Sequence, residues 1–173
     1  SSSLVPGKTG ARCLAHCWPR QEDQHELVKT FLLHKPALSI NLLGATDIPE
    51  TTSWYPEKVG DTDKIFGEIT LKCTAQQTFQ DIPAFSKRTI EFWVDGNKVH
   101  EMPVYAWNNW KDFQATELSE AATIIEHIFN ANDDAFMTPS SPVAINCRAG
   151  VGRTGTLWTM LMLRALKEKR TPI

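Results

Sequence analysis

The chain lacks a surplus of either charge: 18 lysines and arginines stand against 20 aspartates and glutamates, a net charge of −2 over 173 residues. A nucleic-acid binder carries a basic excess, so that class is set aside. No apolar run approaches the roughly 20 residues of a membrane-spanning helix, and no secretory leader is visible. Cysteine is scarce, with only Cys13, Cys17, Cys73 and Cys147. A chain this long and this apolar does not need disulfide staples. Cys13 and Cys17 have the spacing of half a zinc site, but no second Cys or His pair completes it. The four are expected as reduced thiols in a reducing, cytoplasmic compartment. Internal repeats and low-complexity tracts are absent too. The nucleotide loop G-x4-G-K-[ST] is also missing, because Gly7-Lys8-Thr9 has Ser2 where the first glycine belongs.

What is present reads as one α/β (α+β) domain with a central mixed sheet flanked by helices. Leu27, Val28, Phe31, Leu32 and Leu33 make an apolar stripe that predicts a helix over 21–33, closed by Pro36. Leu38 to Leu43 suits a buried strand ended by Gly44. Residues 45–64 read as loop, and Ile65 to Cys73 alternates like a strand. Thr89–Val94 and Val99–Ala106 predict two more strands, with Asp95-Gly96-Asn97 as a hairpin signal between them. A helix follows over 117–130, then a loop over 131–142. Val143-Ala144-Ile145 is a short buried strand, and a last helix spans Thr154 to Lys169.

The informative stretch lies between those last two elements: Asn146-Cys147-Arg148-Ala149-Gly150-Val151-Gly152-Arg153-Thr154-Gly155. A strand ends, a short loop turns and a helix begins. The first turn of a helix offers unpaired N–H groups and a positive dipole end, which attract phosphate. Gly150 and Gly152 let successive N–H groups point inward as an anion nest. Arg153 supplies a planar fork for two phosphate oxygens. A cysteine in that field is expected as a thiolate, poised for in-line attack on phosphorus. Thr154 is placed to donate its hydroxyl to the sulfur. The loop residues Arg148, Ala149, Gly150, Val151, Gly152, Arg153 and Thr154 are thus the expected phosphate cradle. An ester leaving group needs a proton, and Asp112 in Trp110-Lys111-Asp112-Phe113 is the candidate acid. A plain cap of the following loop is the competing role for that aspartate.

The Cys147 to Arg153 run resembles the C-x5-R signature of the protein tyrosine phosphatases, and Trp110-Lys111-Asp112 resembles their mobile W-P-D acid loop. Cys13 to Pro19, Trp54-Tyr55-Pro56 and Phe66 to Leu71 extend the resemblance, which covers about residues 11–167. It makes residues 11–173 one catalytic domain, cut short at both ends, behind a tail or linker at 1–10. It implies hydrolysis of phosphotyrosine in proteins through a cysteinyl-phosphate intermediate. Catalysis falls to Cys147, Arg153 and Asp112, with no metal, no cofactor and a monomeric enzyme acting on phosphoproteins. Cys147 to Thr154, with Met102-Pro103-Val104, is most similar to bacterial effectors injected by type III secretion, which implies action inside a host cell. The sequence departs from the family at Lys111, where proline is usual, and at Asn146, where histidine is usual. The pocket-depth segment and the water-positioning glutamine loop are not apparent, and Gln114 is a candidate for the second task. These departures keep two alternatives: a dual-specificity or phosphoinositide phosphatase, and an impaired phosphoprotein-binding module.

Among the rest, Trp107 and Trp110 lie near the acid candidate, and Trp110 reads as a core anchor and, as the resemblance implies, the hinge of the moving loop. His16, His25, His34, His100 and His127 have no ligand spacing and are expected at the surface or hydrogen-bonded inside. Lys87-Arg88 and Lys167 to Arg170 are short basic clusters, the second suited to a helix C-terminus.

Overall fold

The computed structural model describes residues 2–6, 10–43, 53–108, 115–148 and 152–170. In chain order the strands are β1 (Ser2–Pro6), β2 (Arg12–Cys17), β3 (Leu38–Leu42), β4 (Lys64–Phe66), β5 (Ile69–Thr78), β6 (Phe85–Val94), β7 (Asn97–Trp107) and β8 (Val143–Cys147). The helices are α1 (Gln24–His34), α2 (Ala115–Ala131), α3 (Asp133–Met137) and α4 (Gly152–Arg170), and a 3-10 turn over Gln21–Asp23 leads into α1. All eight strands join one mixed sheet in the order β1-β2-β8-β3-β7-β6-β5-β4, as the mixed sheet expected from sequence requires.

Strands β2, β8, β3 and β7 run parallel to one another, so their carboxyl ends share one edge of the sheet. Strands β3 and β8 are buried at every position. A parallel strand covered on both faces demands such a continuous apolar run. On one face, Leu27, Val28 and Phe31 of α1 pack with Trp54, Leu14 and Val104. On the other, Ile124 and Ile128 of α2 and Leu157 and Leu161 of α4 pack on Ile40, Ile145 and Tyr105. Helix α1 stops at Lys35, whose backbone is left-handed (φ 45°) and whose N–H donates to Phe31 O at 2.7 Å. Pro36 then prevents continuation.

Four elements differ from the sequence reading. The expected tail at 1–10 contains β1, which pairs antiparallel with β2 from Ser2↔His16 to Pro6↔Arg12. The single strand expected over 65–73 is a tight hairpin instead: Phe66 faces Ile69, and Gly67 turns with φ +61°. The alternation there spans a turn whose left-handed backbone a glycine takes without strain. The expected loop 131–142 holds α3, whose Phe136 is fully buried. Finally, β2 had no counterpart in the periodicity, because its buried run mixes cysteines and a histidine with small apolar residues. Elsewhere the ends move by a few residues. Asn97 joins β7, leaving Asp95 (φ 50°) and Gly96 (φ +81°) as a two-residue turn, the left-handed pair such hairpins prefer.

Candidate active site

Strand β8 carries Cys147 to the carboxyl edge, and Thr154 in the first turn of α4 meets it there. The Thr154 hydroxyl donates to Cys147 Sγ at 3.4 Å, with both residues 3% exposed. Sequence reasoning placed both residues at the site, and the structure brings them together. Gly152 is the first residue of α4 rather than a loop residue, and open space surrounds the place a Cβ would take. Arg153 follows it, half-buried in the same helical turn, and Arg148 is exposed just past the strand. Ala149, Gly150 and Val151, expected as the rest of the cradle, lie outside the described residues.

The strand that carries Cys147 is fastened on both sides. Trp18 N–H donates to Cys147 O at 3.0 Å, extending the β2–β8 ladder past the last strand residue. On the β3 side, Asn146 and Asn41 face each other in register. Asn146 Nδ2 donates to Asn41 Oδ1 at 2.5 Å, Asn41 Nδ2 donates to Tyr105 O at 2.8 Å, and Trp54 Nε1 donates to Asn41 Oδ1 at 3.4 Å. These groups are buried, so each bond is worth more than it would be in water. Asn146, noted from sequence as a departure, is therefore the β8 end of a polar row, centred on Asn41, that ties β8 to β3 and β7.

His16 corrects an expectation. It is 2% exposed, and its Nδ1–H donates to Cys17 O at 3.0 Å. Its Nε2 and the facing residue's Asn146 Oδ1 are both buried without a partner. It is neither at the surface nor fully hydrogen-bonded. Burial pushes its pKa down to about 4, so the ring is neutral. His25 is a second exception, with a buried Nε2 lacking a partner. His100 Nε2 bonds to Pro36 O at 2.9 Å, and His127 Nε2 lies 3.4 Å from Asp81 Oδ2.

Asp112 lies outside the described residues, as do Trp110, Lys111 and Gln114. The elements on either side of them are fixed. Trp107 O accepts from Leu43 N at 3.0 Å, and Asn108 N donates to Ala84 O at 3.0 Å. Trp107 is buried, and its Nε1 donates to Glu120 Oε1 of α2 at 2.9 Å. Strand β7, after which Asp112 follows in the chain, therefore ends at the edge where β8 ends, two strands or roughly 10 Å away. Among the described residues no group of three or more His, Cys, Asp or Glu is placed to hold a metal ion. No helix among them is long and apolar enough to cross a membrane.

Sequence reasoning missed Cys17, which faces Cys147, and the row of Asn41, Tyr105 and Trp54 behind Asn146. Strand register reveals Cys17, Asn41 and Tyr105, and a side-chain hydrogen bond reveals Trp54; contacts between distant segments leave no local pattern. Comparison with known proteins bears on the same stretch. Residues 40–172 match the family model described as protein-tyrosine phosphatase. The chain is 35% identical over 125 residues to tyrosine-protein phosphatase 69D of Drosophila melanogaster. That match takes in 67% of this chain and 8% of the fly protein, so the chain spans under a tenth of that relative's length.

Proposed function

We propose that this chain, which belongs to the protein-tyrosine phosphatase family, hydrolyses phosphotyrosine in proteins by way of a phosphorylated Cys147. The observation that carries the reading is the contact between Thr154 Oγ1 and Cys147 Sγ across a strand end and a helix start. It sets a thiol at the positive end of α4, the arrangement that favours a thiolate and binds phosphate. Cys147 attacks phosphorus as the bond to the tyrosyl oxygen breaks. Arg153 and the N–H groups from Arg148 to Thr154 hold the three phosphoryl oxygens as charge develops. Asp112 gives its proton to the tyrosyl oxygen. As a carboxylate it then takes one from water, which attacks phosphorus and releases Cys147. The Thr154 hydroxyl donates to the departing sulfur. Arginine and backbone dipoles supply the positive charge, so the mechanism calls for no metal.

The run Cys147 to Thr154 supports a place beside injected bacterial effectors acting as monomers in a host cytoplasm. A translocation reporter fused to the chain that stays silent in host cells would remove that placement.

The activity test is phosphate release from a phosphotyrosine peptide with EDTA present. Turnover should fall to background in Cys147→Ser and by about 10²–10⁴-fold in Asp112→Ala. Release from phosphoserine peptides or phosphoinositides at a matching rate would move the chain to the dual-specificity or lipid class. Asn146, uncharged where a histidine is usual, favours one other outcome: peptide binding without release, which would make the chain a phosphoprotein-binding module.

A further inference from the structure

Asn41 sits on β3, facing the residue that precedes Cys147. Leu38, Ile40 and Leu42 belong to the core under α2 and α4, so Ser39 and Asn41 point to the opposite face. That face is built mainly from apolar groups such as Leu14, Phe31, Trp54 and Val104. Asn41 is 1% exposed, yet all four hydrogen-bonding positions of its amide are used. Its Nδ2 donates to Tyr105 O at 2.8 Å and to Ser39 Oγ at 3.4 Å. Its Oδ1 accepts from Asn146 Nδ2 at 2.5 Å and from Trp54 Nε1 at 3.4 Å. Asn146 is less complete. Its Oδ1 is buried without a partner, and so is Nε2 of His16, the residue facing it on β2. The direction of the Asn146 amide is therefore set from the β3 side, by Asn41.

Stability does not call for this row. A buried amide gives up its water, and its new hydrogen bonds do little more than offset that loss. Apolar side chains of the same shape would fill the space as well. What a connected polar row adds is direction, because its bonds form in one arrangement only. Successive strand residues point to opposite faces. A rotation at Asn146 is thus passed to Cys147 on the other face, where Thr154 Oγ1 lies 3.4 Å from the sulfur. We propose that Asn41 is a positioning residue for phosphoryl transfer, which holds Asn146 and through it aims the Cys147 sulfur at the first turn of α4. The inference rests on Cys147 being the nucleophile of the function proposed above. In-line attack tolerates little misalignment, and an error of about 1 Å at the sulfur costs on the order of 10²-fold in rate. The same error moves the sulfur away from the helix end that favours its thiolate. Asn41 is too deeply buried to touch substrate, so its effect falls on turnover and thiol reactivity rather than on binding.

The test compares the full parent chain with Asn41→Leu and with the double variant Asn41→Leu, Asn146→Leu. Each is measured for kcat and KM on a phosphotyrosine peptide and for its urea midpoint. Alkylation of Cys147 by iodoacetamide at neutral pH is followed alongside, by peptide mapping. Asn41→Leu orphans the Asn146 amide and should lose stability. Its kcat should fall by about 10–100-fold with KM near the parent's, and Cys147 should alkylate about tenfold more slowly. The double variant removes both amides, so its urea midpoint should return toward the parent's while kcat and alkylation stay low. Turnover and alkylation that recover together with the urea midpoint would reduce Asn41 to a structural role and overturn the proposal. Parental values of both in Asn41→Leu would do the same. Should Asn41→Leu fail to fold, the double variant carries the comparison alone. A parent that releases no phosphate counts against the phosphatase reading, whereas alkylation of Cys147 still tests Asn41 separately.

Discussion

The two halves of the sheet share β7 and little else. On one side β2, β8, β3 and β7 run parallel, and β3 and β8 are short and buried throughout. On the other, β7, β6, β5 and β4 run antiparallel, with strands β5 to β7 of 10 or 11 residues and exposed runs in β5 and β7. The parallel half gathers four carboxyl ends at one edge, where crevices for ligands form in such sheets, and Cys147 stands there. The antiparallel half reaches away from that edge. Residues 97–103 of β7 extend beyond the first β3 partner, Ser39, which faces Val104. The lesson is that the half with the chemistry is the one with the least tolerance for change, because its strands touch a core on both faces.

That contrast can be broken or sharpened by three measurements. Ile145→Ala on β8 should cost about 4 kcal/mol, since a fully buried side chain leaves a cavity between two packed layers. It should also lower phosphate release, by loosening the strand that presents Cys147. Urea unfolding with unchanged slope reads the first effect. A cost under about 1 kcal/mol would mean that the parallel half is not the rigid one.

The second measurement concerns acid. The His16 ring titrates at 6.5 when unfolded but at about 4 when folded. Between those values the unfolded chain binds more protons, so stability falls as pH drops from 6.5 toward 4 and is unaffected above 7. At about 1.4 kcal/mol per pH unit the loss near pH 4 is about 3 kcal/mol. Urea midpoints at neutral and acid pH, compared with those of His16→Gln, check it. An equal acid loss in the variant would assign the effect elsewhere.

The smallest effect belongs to the antiparallel half. Gly96→Ala adds a Cβ that meets nothing within 4 Å, but it does so at φ +81°. Only the backbone penalty of about 1 kcal/mol should appear. Phosphate release should be that of the parent, and a drop would show that the hairpin reaches the site.

The same division explains what the sequence disclosed. Hairpin β6–β7 was legible because alternation and Asp95-Gly96 are local signals, and the helices because their apolar stripes are. Cys147, Arg153 and Thr154 were legible because a strand, a glycine-bearing loop and a helix start follow one another without a gap. Strand β1 escaped because its partner is what orders it, and α3 because a single buried Phe136 carries it. The row from His16 through Asn146 and Asn41 to Tyr105 O is assembled from four strands far apart in the chain. Its members look like ordinary polar residues until register sets them side by side.

The hairpin turn at Asp95-Gly96 is also a handle. Ten steps along β7 separate Asn97 from Trp107, roughly 33 Å of extended chain. A fluorophore, affinity tag or inserted peptide placed at that turn would sit at the opposite end of the sheet from Cys147. The fold thus comes with its own spacer, along which the protein could be immobilised or tracked with its reactive edge facing outward.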